Sequence, residues 1–124
     1  MLKILYIGIG GFMGASSRYL LSKWIEIKWD SLIPNGTLVV NTVGSFLIGF
    51  LMILFLEKVT GFSNLKILLT TGFLGAFTTF STFSYETMVL LEEKSFLMAG
   101  INIFGNLTLG ILAVLIGIIA GKAI

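Results

Sequence analysis

Five hydroxyl side chains fall within the seven residues from Thr78 to Ser84, interleaved with Phe80 and Phe83. On a helix, Phe80 and Phe83 are i, i+3 neighbours and share a face. Thr79, Thr82 and Glu86 form an adjacent stripe, and Ser81 and Ser84 flank the rings on the other side. A hydroxyl can donate a hydrogen bond, and so can the amide of Asn41 further up the chain. A benzene ring has a positive edge that an anion can approach. No lysine or arginine lies inside this stretch to trap an ion. A path of several weak sites lets an ion leave as readily as it enters. The pattern therefore suits a small anion in transit. The plain alternative is that the two phenylalanines only pack, which leaves the concentration of hydroxyls unexplained.

The preceding residues suggest a second kind of chemistry. Gly72 and Gly75, followed by Thr78 and Thr79, suggest a helix break. A break frees backbone carbonyls, which are tolerated at membrane depth only in a cavity, inside protein or on an ion. Free carbonyls favour a hard cation such as Na⁺. The alternative is a kink whose carbonyls are satisfied by threonine hydroxyls.

The composition dictates where these residues must sit. The chain has 124 residues, of which 56% are hydrophobic and only 11% charged. A soluble domain carries about a quarter charged residues, so this one could not cover itself in water. With no His and no Cys, the usual catalytic dyads, zinc sites and disulfide staples are excluded. An enzyme would have to work with Ser, Thr and Glu86 alone. A net charge of +2 does not point to nucleic acid. The remaining class is a small all-α membrane protein.

A helix needs roughly 20 apolar residues to cross a bilayer. Four stretches qualify, at about residues 4–21, 37–56, 65–91 and 96–120, forming a single domain over 1–124. The connections are short, and Trp24 and Trp29 in the first of them suit the headgroup zone. The alternative of a cleaved leader over residues 1–17 would remove a span and leave no soluble domain behind it. The third stretch would be about 40 Å long as an unbroken helix, so it must tilt, extend or break. Arg18, Asn41 and Glu86 fall near helix ends on one side of the membrane. Arg18 there pairs with Glu86, lines a wet vestibule or snorkels to the interface.

Four spans place both termini on one side, with Lys3, Lys58, Lys66 and Lys122. Arg18, Lys23, Lys28 and Lys94 fall on the other. The positive-inside rule gives no orientation for an even split. It permits either a fixed orientation or an antiparallel pair built from one sequence. Nearly all of the 15 glycines lie in or beside the spans, including the pairs Gly10/Gly14 and Gly117/Gly121. Small residues let membrane helices approach closely. Four helices enclose little interior, so a path would lie between subunits of a homodimer.

These motifs resemble the bacterial fluoride channels, the Fluc or CrcB family, over nearly the whole chain. The matching segments are Gly10-Gly11-Phe12-Met13-Gly14-Ala15 with Arg18-Tyr19, Gly36-Thr37-Leu38-Val39-Val40-Asn41, and Gly72 through Ser84. The resemblance implies an antiparallel dual-topology homodimer, a multi-pass protein of the bacterial plasma membrane, with two pores for passive fluoride export. It implies that Phe80 and Phe83 line each pore, that Asn41 faces it, and that Ser81, Thr82 and Ser84 supply a polar track. It also implies a structural, untransported Na⁺ held by the carbonyls of Gly75 and Thr78 from both subunits. Arg18 would attract anions at the vestibule, with Glu86 a polar neighbour. On the fourth helix, where relatives often carry a tyrosine or histidine and a serine, this chain offers Asn102, Asn106 and Thr108. The rival functions are a proton-coupled drug, cation or fluoride exporter and a non-conducting assembly subunit. The first helix lacks the mid-span carboxylate of the small drug exporters, and an assembly subunit has no use for the Phe80–Phe83 stripe.

Overall fold

A computed structural model describes residues 1–124 and is all-helical. The first helix, α1, runs over Leu2–Lys28. α2 covers Asn35–Ile53 and continues into a wider π-helical turn at Leu54–Lys58. The third segment begins as α3, Ser63–Ile67, widens into a π-helical stretch at Leu68–Leu74, and closes with α4, Gly75–Phe77. After Thr78 and Thr79 it resumes as α5, Phe80–Glu92. α6 spans Phe96–Ala123.

The helices outrun the apolar stretches that announce them. α1 ends at Lys28, not near residue 21, so Trp24 and Glu26 sit on the helix and not in a connection. Nothing between Lys23 and Lys28 breaks a helix, and Glu and Lys are good helix formers. Apolarity marks the hydrocarbon thickness, whereas hydrogen bonding carries on into the headgroup layer. For the same reason Glu57 and Lys58 belong to the end of the second helical segment. Pro34 caps α2, where its fixed φ of −73° costs nothing and no N–H is missed. α5 ends with Lys94 at φ 61°, and the N–H groups of Lys94 and Ser95 donate to the carbonyls of Leu91 and Leu90. That is a Schellman closure, and it turns the chain directly into α6.

Three helical segments are long and apolar enough to cross a membrane: Asn35–Lys58, Ser63–Glu92 and Phe96–Ala123. α1 is as long, but Arg18 and its glycines and serines make it less apolar.

Packing is by backbone contact. α2 lies along α6, and α1 lies along the π-helical stretch. A Cβ on Gly117 would overlap the carbonyl oxygen of Phe46, and one on Gly14 would overlap that of Phe73. Only glycine permits helix axes this close. The core is small, with Val40, Leu74 and Phe77 at its centre. Only 20 of 124 residues are buried, while Phe12, Phe104 and Ile111 are at least 70% exposed. A surface this apolar needs lipid or another chain against it.

Candidate functional site

The site is organised by the two non-helical residues between α4 and α5. Thr78 (φ −88°, ψ 156°) and Thr79 (φ −149°, ψ 119°) are extended. Thr79 is the N-cap of α5, its hydroxyl accepting the N–H of Thr82 at 3.2 Å and donating to the Thr82 hydroxyl at 3.1 Å. An N-cap threonine satisfies one of the donors that a helix start leaves unpaired. The Thr79 peptide is clamped from α2. Its N–H donates to Oδ1 of Asn41 at 2.8 Å. Nδ2 of Asn41 donates back to its carbonyl at 3.1 Å.

These bonds redirect donors. In a continuous helix the N–H of Thr79 would donate to the carbonyl of Gly75, and that of Thr82 to the carbonyl of Thr78. Here the first goes to Asn41 and the second to the Thr79 hydroxyl. The carbonyls of Gly75 and Thr78 thus lose their helical donors. Oxygen ligands of this kind suit a hard cation.

A cavity of about 410 Å³ opens on this step. Asn41, Gly75, Thr78, Thr79, Phe80, Phe83 and Asn106 line it, with Ser45 and Thr70. None of its lining residues is charged. The Phe80 and Phe83 rings are 5.7 Å apart and tilted by 54° to each other, so they are not a stacked pair. Phe80 is 77% exposed in the single chain. The start of α5 at the cavity wall adds the positive end of a helix dipole.

The other sequence-predicted residues are distributed as follows. Ser81, Thr82 and Ser84 do not line the cavity. Ser81 and Thr82 are exposed and turn toward the Thr79 cap, and Ser84 is half-buried. Asn106 lines the cavity from α6, whereas Asn102 is fully buried behind it and Thr108 is exposed elsewhere on the helix. Arg18 is half-buried on α1 and borders no part of this cavity. Glu86 faces a second cavity of about 370 Å³ with Glu26, Asp30 and Glu93. Its hydrogen bond comes from the Thr37 hydroxyl and not from Arg18.

Ser45, Thr37 and Thr87 were not singled out by sequence reasoning. A signal for two of them was present. Thr37, Asn41 and Ser45 recur every four residues on α2, a polar stripe on one face of an apolar helix. Thr87 lies one turn after Phe83 and had no comparable signal.

A multi-pass helical protein with an uncharged cavity of amides, hydroxyls and aromatic rings belongs among membrane transport proteins. The chain is a member of the CrcB family: residues 5–118 match the model described as CrcB-like protein, Camphor Resistance (CrcB). A Methanococcus vannielii protein named fluoride-specific ion channel FluC is 52% identical over 103 residues, 82% of this chain and 81% of its own length. A FluC from Roseiflexus sp. is 40% identical over 94% of both chains. One from Nitratiruptor sp. is 44% identical over 96% of this chain and 91% of its own.

Proposed function

We propose that this chain is a fluoride-specific channel that lets fluoride leave the cell passively, and that it conducts without catalysing a reaction. The observation that carries the reading is the uncharged cavity at the Thr78–Thr79 step, lined by Phe80 and Phe83 beside Asn41, Ser45 and Asn106. The positive edges of phenyl rings, the Ser45 hydroxyl and the start of α5 all favour a small anion. None of them is a full charge, so the ion is held weakly and can move on. The names carried by the relatives agree with this. HF enters cells as a neutral weak acid and dissociates, and a channel then releases the trapped anion down its gradient.

In this reading α1 is a fourth span and the working unit is an antiparallel homodimer. The exposed Phe80 is then covered by the second copy, which completes the wall that one chain leaves open. Supporting this, the chain's basic residues give no bias between the two faces. The carbonyls of Gly75 and Thr78 from both copies would hold a central Na⁺. The redirected N–H groups of Thr79 and Thr82 support that assignment. When bound, the ion supplies a fixed charge that ties the two copies together. Ser81, Thr82 and Ser84 continue the polar track toward the membrane surface, and Arg18 draws anions to the vestibule. Asn106 contributes from α6.

A proton-coupled exporter would need a titratable group at the transport site. The only carboxylate within a predicted span, Glu86, lies near a helix end and faces the other cavity. Fluoride efflux from liposomes, measured with and without a pH gradient, tests the proposal. Flux that requires the gradient would refute a passive channel.

A further inference from the structure

We infer that Asn102 and Thr87 are positioning residues that fix the first turns of α5 and thereby aim Phe80 and Phe83. The inference rests on the channel reading above and adds a role for residues that lie outside the cavity. Asn102 is 1% exposed and Thr87 is 7% exposed. Neither borders the cavity, so neither can touch a passing ion.

Their hydrogen bonds run in one continuous relay. Nδ2 of Asn102 donates to the Thr87 hydroxyl at 3.0 Å. That hydroxyl donates in turn to the carbonyl of Phe83 at 2.8 Å. On the other side, Nδ2 of Asn106 donates to Oδ1 of Asn102 at 3.1 Å and to its carbonyl at 2.8 Å. Nδ2 of Asn41 donates to Oδ1 of Asn106 at 3.4 Å, and Asn41 clamps the Thr79 peptide. The relay therefore begins on the main chain at Thr79 and ends on the main chain at Phe83. It brackets the one helical turn that carries both rings.

Geometry explains why such a device is needed here. α2 and α6 pack along their lengths, but α5 meets α6 over a shorter stretch. The helix has no continuous hydrogen-bonded backbone behind it, because Thr78 and Thr79 are extended. Apolar contacts with lipid-like surroundings do not resist rotation of α5 about its own axis. A chain of directed bonds does, because in a dry interior each unpaired group is costly.

The test compares Thr87→Val with Thr87→Ser. Valine keeps the shape and removes the hydroxyl, while serine keeps the hydroxyl. Two readouts are taken: fluoride flux per folded dimer in liposomes, and backbone hydrogen exchange over residues 78–83. Thr87→Val lowers flux roughly tenfold and speeds exchange there, as expected when a buried hydrogen-bond partner is lost, and Thr87→Ser retains both near wild type. Asn102→Leu matches Thr87→Val, and the double variant is no worse than either single one, since both cut the same relay. Equal behaviour of the valine and serine variants would overturn the inference. So would losses that multiply in the double variant. If the wild-type chain conducts no fluoride, the channel reading fails, and the exchange pattern alone then decides the relay.

Discussion

Replacing Asn41 by leucine removes an amide of nearly the same shape and leaves the Thr79 peptide without its partners. The N–H loses its acceptor at 2.8 Å and the carbonyl loses its donor at 3.1 Å. Thr79 is 9% exposed, so water reaches these groups only through the cavity. Each unpaired buried group costs about 1–3 kcal/mol, which places the total at about 2–6 kcal/mol. Against a typical folding stability of about 5–15 kcal/mol this weakens the fold without abolishing it. Asn41→Asp separates the two roles of the side chain. It keeps an acceptor for the Thr79 N–H and loses the donor to the carbonyl. It also adds a charge beside the cavity. At about 6 Å and an effective dielectric near 20, a carboxylate repels an anion by about 3 kcal/mol, roughly a hundredfold in occupancy. The assays are thermal or denaturant unfolding in detergent and fluoride efflux in liposomes. The expected pattern is a clear stability loss for Asn41→Leu and a larger flux loss than stability loss for Asn41→Asp. Wild-type stability in the leucine variant would refute the clamp. Wild-type flux in the aspartate variant would mean that Asn41 does not border the ion path.

Phe80→Ile and Phe83→Ile keep apolar bulk and lose the ring edge, so liposome flux falls roughly three- to tenfold while unfolding stays near wild type. Gly14→Ala and Gly117→Ala drive a methyl group into the carbonyls of Phe73 and Phe46 and cost about 1–3 kcal/mol, read by denaturant unfolding in detergent. Gly100→Ala, whose Cβ meets nothing within 4 Å inside α6, causes no loss of single-chain stability, and a gain of up to about 1 kcal/mol, and serves as the control. If the carbonyls of Gly75 and Thr78 hold Na⁺ between two copies as proposed, exchanging Na⁺ for a large organic cation during purification lowers the thermal stability of the assembly. A site saturated a hundredfold contributes about 2.7 kcal/mol, so the loss is measurable by light scattering or size exclusion on heating.

Much of this was legible because a bilayer imposes simple rules. Apolar runs of the right length place Asn35–Lys58, Ser63–Glu92 and Phe96–Ala123 in order. Their ends were not legible, because helices such as α1 continue through Lys23–Lys28 once hydropathy has fallen away. The side-chain types around Thr78–Ser84 pointed to the segment from which Thr78, Thr79, Phe80 and Phe83 line the cavity, and i, i+3 spacing put Phe80 and Phe83 together. Spacing did not say which hydroxyls turn inward. Ser81 and Thr82 follow Thr79 in forming a helix cap, a local demand that outranks their place on a stripe. Asn102 and Asn106 share one face of α6, yet one is buried and the other borders the cavity. That division depends on how α5 leans on α6, which a single helix's sequence does not encode.

The most direct test of the central claim is ion efflux from liposomes holding the purified wild-type protein, loaded in parallel with fluoride and with chloride. A fluoride-specific channel gives rapid fluoride efflux with no imposed pH gradient and negligible chloride efflux. Absence of fluoride flux from folded, reconstituted protein, or equal passage of chloride, would contradict it.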